Sequence, residues 1–367
     1  MWLIFQFREK SRTRKPYGKY REFTLALTIT AAGLRKIPKL RGWGAGLFAL
    51  PIHISYFSIL YLILKTGSSP GLIRDLILVL TIILYLAYGV LVNDFFDREI
   101  DIAAGKVSAN RGHQNSKEEL SLILVVLVFA ILGLVYLANG GVAYDVTWVV
   151  ALFLASAYSA PPLKLKERGF WGFVTDSVIE KPLPILIVFT FFHYYGFEIF
   201  LFPVFGELLD SIFKHQVEDY DLDSKLGIKS FAIMLGKKRS ALAVSLVANP
   251  LNVVAAVSLI AISFHELPKA RVLIFVSVLL IALGMAATEI LRRRGKVRTG
   301  FPFPEPPVLG LLNFGLRSVF LGALALTVLY YFVGLFPLVL VVLLSVSIYL
   351  MIYYRFFRDF IRGVRPR

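Results

Sequence analysis

Residues 71–101 read GLIRDLILVLTIILYLAYGVLVNDFFDREID. Between Asp75 and Asp94 the stretch carries no charged residue, and it then ends in five charges within eight positions, Asp94, Asp97, Arg98, Glu99 and Asp101. The hydrocarbon core of a bilayer is about 30 Å thick and takes roughly 20 apolar residues as a helix to cross. This segment therefore reads as a membrane span, near 71–92, that runs directly into an acidic motif. Asn93, Asp97 and Asp101 are spaced i, i+4, i+8, so on a continuing helix their oxygens leave one face, each about one turn above the last.

The rest of the chain has the same character. It is 57% hydrophobic and 17% charged, with a mean hydropathy of +0.72 over 367 residues, too apolar for an ordinary water-soluble domain. Apolar stretches bounded by Gly, Pro and charge mark further spans near 44–65, 119–138, 142–160, 171–191, 196–214, 240–263, 271–291, 315–333 and 336–354. The expected fold is an all-α polytopic membrane bundle of nine to ten helices in one transmembrane domain, 43–355. A basic N-terminal segment, 1–42, precedes it and a basic tail, 356–367, follows. Residues 1–42 hold eleven basic residues around FTLALTITAAGL, which is too short to span and suits the membrane interface. No basic-then-apolar signal order opens the chain, so the first span is expected to direct insertion.

With both termini inside, nearly all of the 40 Lys and Arg fall on the cytoplasmic side, in 1–43, 93–118, 161–170, 215–239, 292–314 and 355–367. That split accounts for the net charge of +16 and removes the motive for a nucleic-acid partner. Zero cysteines exclude disulfides, thiolate metal sites and cysteine nucleophiles.

At the end of the sixth expected span, HQVEDYDLD (215–223) repeats the i, i+4 spacing with Asp219 and Asp223. Stacked carboxylates repel, by roughly a few tenths of a kcal/mol per exposed pair and more where water is restricted. Divalent cations offset that repulsion. Mg²⁺ keeps oxygen ligands and is commonly held by carboxylates together with substrate phosphates, which suits two facing acidic clusters better than a bare structural ion. A single DxxxD is most simply a solvated helix end; two at equivalent positions after apolar spans, one opening with Asn-Asp, read as a site.

NDFFDREID resembles the NDxxDxxxD signature of the UbiA superfamily of intramembrane prenyltransferases, and EDYDLDSKLGIKS resembles that family's second DxxxD motif with its trailing Gly-Ile-Lys-Ser/Thr. A third piece, YSAPPLKLK at 158–166, resembles its Tyr-Ser-x-Pro-Pro-x-x-x-Lys loop. Together the motifs cover roughly 44–263. Two positions depart: His215 stands where members commonly carry an aspartate, and AAGKVSANRGHQNS follows the first motif in place of an Arg-Pro-rich segment. The tenth span also exceeds the family's usual nine.

The resemblance implies transfer of a prenyl group from an isoprenoid diphosphate to a lipophilic acceptor, aromatic or lipid, in an integral membrane protein (the cell membrane in a prokaryote) with its active site on the cytoplasmic side. Mg²⁺ is the implied cofactor, on Asn93, Asp94, Asp97, Asp101, Asp219 and Asp223, with Asp97 and Asp219 catalytic. Cations should meet the leaving diphosphate while electron-rich apolar walls meet the allylic carbon. Arg98, Lys164, Lys166, Lys225 and Lys229 are the candidates for phosphate, with Lys164 and Lys229 preferred for lying inside the motifs. Each reads equally as a headgroup contact. Tyr158 is a candidate for orienting phosphate, although tyrosine is common at membrane interfaces.

Asp176, Glu180 and Lys181 lie about 9–17 Å into the fifth span at 1.5 Å per residue. Ionisable groups at that depth are expensive and mark sites. Lys181 is expected to reach substrate, and Asp176 or Glu180 to be its partner or a base; a mutually neutralising structural pair beside Pro182 is the plain alternative. Glu207, Asp210 and Arg317 pose the same question. His215, one turn before Asp219, is expected to hydrogen-bond the diphosphate or a carboxylate, or to assist proton removal, if the helix continues that far. A transporter, or a catalytically silent lipid-binding homologue, are the rival readings; a transporter would place its charges at the midplane.

Overall fold

The computed structural model describes residues 50–67, 70–103, 116–138, 141–205 and 219–272, with short pieces at 208, 212–213, 216–217, 274–275 and 279. The expected spans at 315–333 and 336–354, most of 271–291, and the segments 1–42 and 356–367 lie outside these residues.

Hydrocarbon offers no partner for a peptide N–H or C=O, so a spanning segment must satisfy its backbone internally as a helix. The described apolar segments do this as helices joined by short loops, and an isolated parallel bridge, Gly169 to Ser230, is the one β contact among the described residues. In chain order the helices are α1 (Leu50–Thr66), α2 (Leu72–Ala103), α3 (Ser116–Leu137), α4 (Val142–Ser159), α5 (Phe170–Glu180), α6 (Pro182–Phe191), α7 (Glu198–Phe205), α8 (Tyr220–Leu226), α9 (Phe231–Leu235), α10 (Lys237–Ala243) and α11 (Asn249–Glu266). Among them four stretches are long and apolar enough to cross a membrane: Ile73–Arg98, Lys117–Leu137, Val142–Ser159 and Lys237–Glu266. The protein is an all-helical integral membrane protein.

Helix α2 matters most for the site. Its 32 residues measure about 48 Å at 1.5 Å each, longer than the hydrocarbon slab, so the acidic motif continues the same helix beyond the apolar part. Asn93 and Asp97 thereby share one face, as their spacing requires.

The fifth expected span, 171–191, is two helices and not one. Pro182 lacks an N–H and its ring crowds the preceding turn, so the backbone leaves helical geometry at Lys181 (φ −121°, ψ −64°), which ends α5 and begins α6. The sixth, 196–214, holds α7 with Pro203 inside it, and the residues beyond Phe205 are described only in fragments. The seventh runs unbroken from Lys237 to Glu266 by way of a π turn at Val244–Ala248, which widens the helix just ahead of Pro250 and relieves the same clash.

The core is built from aromatic rings of neighbouring helices. Phe57 of α1 meets Phe205 of α7 edge-on at 5.7 Å, Tyr61 meets Phe202 at 5.4 Å, and Tyr85 of α2 meets Trp148 of α4 at 5.8 Å. Helix α3 packs along α2 at Gly133, where a Cβ would strike the Thr81 side chain. Its other face leaves Leu124, Val128, Leu132 and Val135 exposed, a continuous apolar stripe suited to lipid. Near the start of α5 a second cluster, Phe173, Phe213 and Phe231, with ring centroids 5.1–5.4 Å apart, ties α5 and α9 to the segment ahead of the second acidic motif.

Candidate active site

Three chain segments meet at the end of α2. From α2 come Asn93 and Asp97; from the last turn of α4 comes Ser159; from the loop after it comes Lys166. The Ser159 hydroxyl donates to Asn93 Oδ1 at 2.7 Å, and the Lys166 ammonium donates both to Asn93 Oδ1, at 3.4 Å, and to Asp97 Oδ1. Two oxygens one helical turn apart thus converge on one positive charge in a partly buried position.

The loop 160–169 can make this reach because its turns are tight. Lys164 adopts left-handed backbone geometry (φ 38°), and the chain folds back so closely on α5 that a Cβ on Gly172 would lie 2.7 Å from the Lys166 carbonyl oxygen. At its end Gly169, with φ 55°, pairs with Ser230, the last residue of the Gly-Ile-Lys-Ser run. The loop therefore touches the first acidic motif through Lys166 and the tail of the second through Gly169. The Gln216 side chain accepts from the Ala232 N–H at 3.2 Å and fixes the second motif's approach from its other side.

Within the second motif Asp219 stands at the start of α8, and the Asp223 N–H donates to its carbonyl at 2.8 Å, so the two carboxylates occupy successive turns and are half-buried. Asp221 points elsewhere, to Lys237 at 2.7 Å. Lys225 and Lys229 are exposed nearby. Asp94 is half-buried on α2. The Asp101 side chain, His215, Glu207, Asp210 and Arg317 lie outside the described residues.

Two candidates are placed differently from their sequence reading. Lys164, preferred for its place in the motif, turns away from Asp97 and pairs with Glu167 at 3.2 Å, both largely exposed; Lys166 takes the position beside the acids. Lys164 stands in the left-handed turn, and the lysine that closes the Tyr-Ser-x-Pro-Pro-x-x-x-Lys spacing is Lys166. Arg98 pairs with Glu119 in the first turn of α3, an ion pair between helices.

Deeper in, a polar chain runs between α2, α4 and α5. Tyr88 shares a hydrogen bond with Ser156 at 2.7 Å. Tyr158 on α4 and Asp176 on α5 are both half-buried. Tyr85 donates to the Ile179 carbonyl at 3.1 Å, near the Lys181 break, and Lys181, 2% exposed, lies 3.4 Å from Glu180. Tyr158, Asp176 and Lys181 were named as candidates from the sequence, whereas Ser159 and Tyr88 were not. Ser159 was visible as the second residue of the Tyr-Ser pair; for Tyr88 there was no signal beyond a position one turn and a residue before Asn93.

Among the described residues no group of three or more His, Asp or Glu side chains is arranged to hold a metal ion. The donors nevertheless suit Mg²⁺: all are hard oxygens, and Asn93 and Asp97 already direct theirs at a common cation, the Lys166 ammonium.

Comparison with known proteins follows this geometry. The family model described as "UbiA prenyltransferase family" matches residues 54–303. A curated 4-hydroxybenzoate octaprenyltransferase from Shewanella oneidensis is 25% identical over 185 residues, which cover 48% of this chain and 61% of the relative, under two thirds of its length. Among solved structures, the apo structure of a UbiA homolog from Aeropyrum pernix K1 has a TM-score of 0.50 at 14% identity, covering 75% of this chain and 96% of its own. A UbiA homolog from Archaeoglobus fulgidus bound to DMAPP and Mg²⁺ has a TM-score of 0.49 at 17% identity, covering 76% and 96%.

Proposed function

Because the chain belongs to the UbiA prenyltransferase family, we propose that it transfers a prenyl group from an isoprenoid diphosphate to a lipophilic acceptor in the membrane. The observation that carries this reading is the convergence of Asn93 and Asp97 oxygens on Lys166, in a loop bridged to the second acidic motif.

Mg²⁺, held by Asn93, Asp94, Asp97, Asp101, Asp219 and Asp223, would stabilise negative charge on the departing diphosphate. Lys166 shares its ammonium between the acidic motif and a diphosphate oxygen, and Ser159 keeps the Asn93 oxygen turned toward that point. Lys225 and Lys229 add positive charge from the exposed side, with Lys164 and Arg98 contributing at longer range and His215 hydrogen-bonding the diphosphate. Tyr88 and Tyr158 present ring faces inward of the phosphate, where the allylic carbon becomes electron-poor. Asp176 and Lys181 face the acceptor. The concentration of basic residues in segments beside both motifs supports a cytoplasmic side for this end.

The test is to incubate the full chain in lipid nanodiscs with allylic diphosphates and a lipid extract from its source, then identify prenylated products by mass spectrometry. The reading requires a product whose mass rises by one prenyl chain and which disappears with Asp97→Asn. Product formation that survives Asp97→Asn, or no product with any donor, contradicts it.

A further inference from the structure

The cations at the acidic end of the bundle fall into two groups. Arg98, Lys164, Lys166 and Lys237 each pair with a carboxylate, whereas Arg168, Lys238 and Arg239 are exposed and have no ion pair among the described residues. We infer that these three, with the apolar side chains beside them, form a binding site for an anionic phospholipid on the seam between α5 and the turn that joins α9 to α10.

Backbone geometry brings the two sides of the seam together. Gly169 pairs with Ser230, the Phe170 and Phe231 rings lie 5.3 Å apart, and a Cβ on Gly169 would strike the Met234 sulfur. Beyond Met234 the chain turns at Gly236, whose φ of 86° suits glycine, and α10 folds back on α9. The Ser240 hydroxyl donates to the Ala232 carbonyl at 3.4 Å, eight residues back, a contact that a continuous helix, rising about 12 Å over that span, could not make. Arg168 therefore stands at one edge of the seam, next to Gly169. Lys238 and Arg239 stand at the other, at most about 18 Å from Met234 along the chain.

The membrane level follows from the same two elements. The stretch Lys237–Glu266, long and apolar enough to cross a bilayer, begins at these cations, and α5 begins at Phe170. Trp171 is 63% exposed and Met234 64%, and an indole favours the boundary between headgroups and hydrocarbon. Leu242, one turn after Lys238 on the same helix face, and Leu246, a turn further, are exposed as well. A phospholipid has the matching shape, with its phosphate level with the cations and its acyl chains level with the apolar side chains. A soluble phosphate would use the cations and leave the apolar half bare.

Charge selects the head. Glu167, next to Arg168, and Asp221 are already taken by Lys164 and Lys237, so Arg168, Lys238 and Arg239 keep their positive charge uncompensated by the described carboxylates. A zwitterionic head brings a cation of its own and offsets little of this, whereas an anionic head brings net negative charge. Each Lys or Arg beside an anionic lipid surface adds up to about fivefold in affinity. The site omits Lys166, Lys225 and Lys229, which the proposed function gives to the diphosphate, and it stands independently of the prenyl-transfer reading.

Native mass spectrometry tests it on the full chain, released from micelles that hold equal amounts of phosphatidylglycerol and phosphatidylcholine. The unmodified chain is expected to retain phosphatidylglycerol over phosphatidylcholine by about tenfold or more. Arg168→Gln, Lys238→Gln and Arg239→Gln together should abolish the preference, and each alone should lower it about two- to fivefold. The charge-conserving set Arg168→Lys, Lys238→Arg and Arg239→Lys should keep it, Trp171→Ala should weaken retention of both lipids, and millimolar inorganic phosphate should leave the lipid bound. Equal retention of the two lipids by the unmodified chain, or a preference that survives the triple Gln variant, overturns the site. So does a preference lost in the charge-conserving set as well, which would make the effect one of structure, or displacement of the lipid by inorganic phosphate.

Discussion

At the end of the bundle marked by Thr66 and Glu266, one lysine, two glutamates and two tyrosines satisfy one another. At the end marked by Asp97 and Lys237, side chains of the same kinds are spread over a helix terminus and two loops. Leu72 and Asp97 are about 37 Å apart along α2, so these are opposite ends. At the first, Glu198 is 4% exposed and accepts from Tyr61 at 2.5 Å and Tyr194 at 3.1 Å, while Lys65 joins it to Glu266. The cluster ties α1, α7 and α11 together and keeps little capacity for a ligand. At the second, Lys166 and Asp97 remain partly exposed, and the loop carrying Lys166 owes its position to backbone geometry more than to buried polar contacts. Internally satisfied charge holds helices together; partly exposed charge on constrained loops is available to a substrate.

The contrast breaks most sharply at Lys166. Lys166→Met keeps the stem but removes the ammonium, so donor binding, measured by titration of an allylic diphosphate, should weaken about 100-fold, the loss of a charge-assisted contact of about 2–3 kcal/mol. The unfolding midpoint should hardly move. A large fall in stability with unchanged donor binding would make this end structural like the other.

Glu198→Gln is the mirror experiment. Removing the buried charge that accepts from Tyr61 and Tyr194 weakens two charge-assisted hydrogen bonds at a cost of about 1.5–3 kcal/mol, so the detergent-solubilised protein should unfold at a lower temperature, with donor affinity preserved. Donor binding lost together with stability would deny the separation of the two ends.

The same comparison shows how far the sequence could be read. The acidic face of α2 was legible because helical period alone aligns Asn93 and Asp97, and the Tyr-Ser and Gly-Ile-Lys-Ser runs were legible as motifs. Which of Lys164 and Lys166 meets the acids was legible too and was passed over: the Tyr-Ser-x-Pro-Pro-x-x-x-Lys spacing ends on Lys166, while Lys164 occupies one of its variable positions. The break at Lys181 was foreshadowed by Pro182, yet hydropathy carried the span straight through it. Nor did Tyr61, Lys65, Tyr194, Glu198 and Glu266 draw notice. Their contacts join residues up to 205 positions apart, and no local pattern relates them.

The smallest expected effect lies in alkali. Burial, and then the neighbouring Glu198 carboxylate, raise the Tyr194 phenol to about 12. The protonated phenol is favoured in the folded state, so its contribution is complete below about pH 10, the ordinary tyrosine value, and is lost as pH climbs toward 12. Melting curves across that window should decline more gently for Tyr194→Phe than for the unmodified chain; parallel declines would remove Tyr194 from the cluster's energetics.

Donor binding tests the central claim most directly. Titrating the full chain in nanodiscs with dimethylallyl diphosphate, with Mg²⁺ and then with Mg²⁺ chelated, should give saturable binding that requires the metal and disappears in Asp97→Asn, while Glu198→Gln binds as the unmodified chain does. Equal binding by Asp97→Asn, or binding indifferent to Mg²⁺, would contradict the assignment of this end as a metal–diphosphate site.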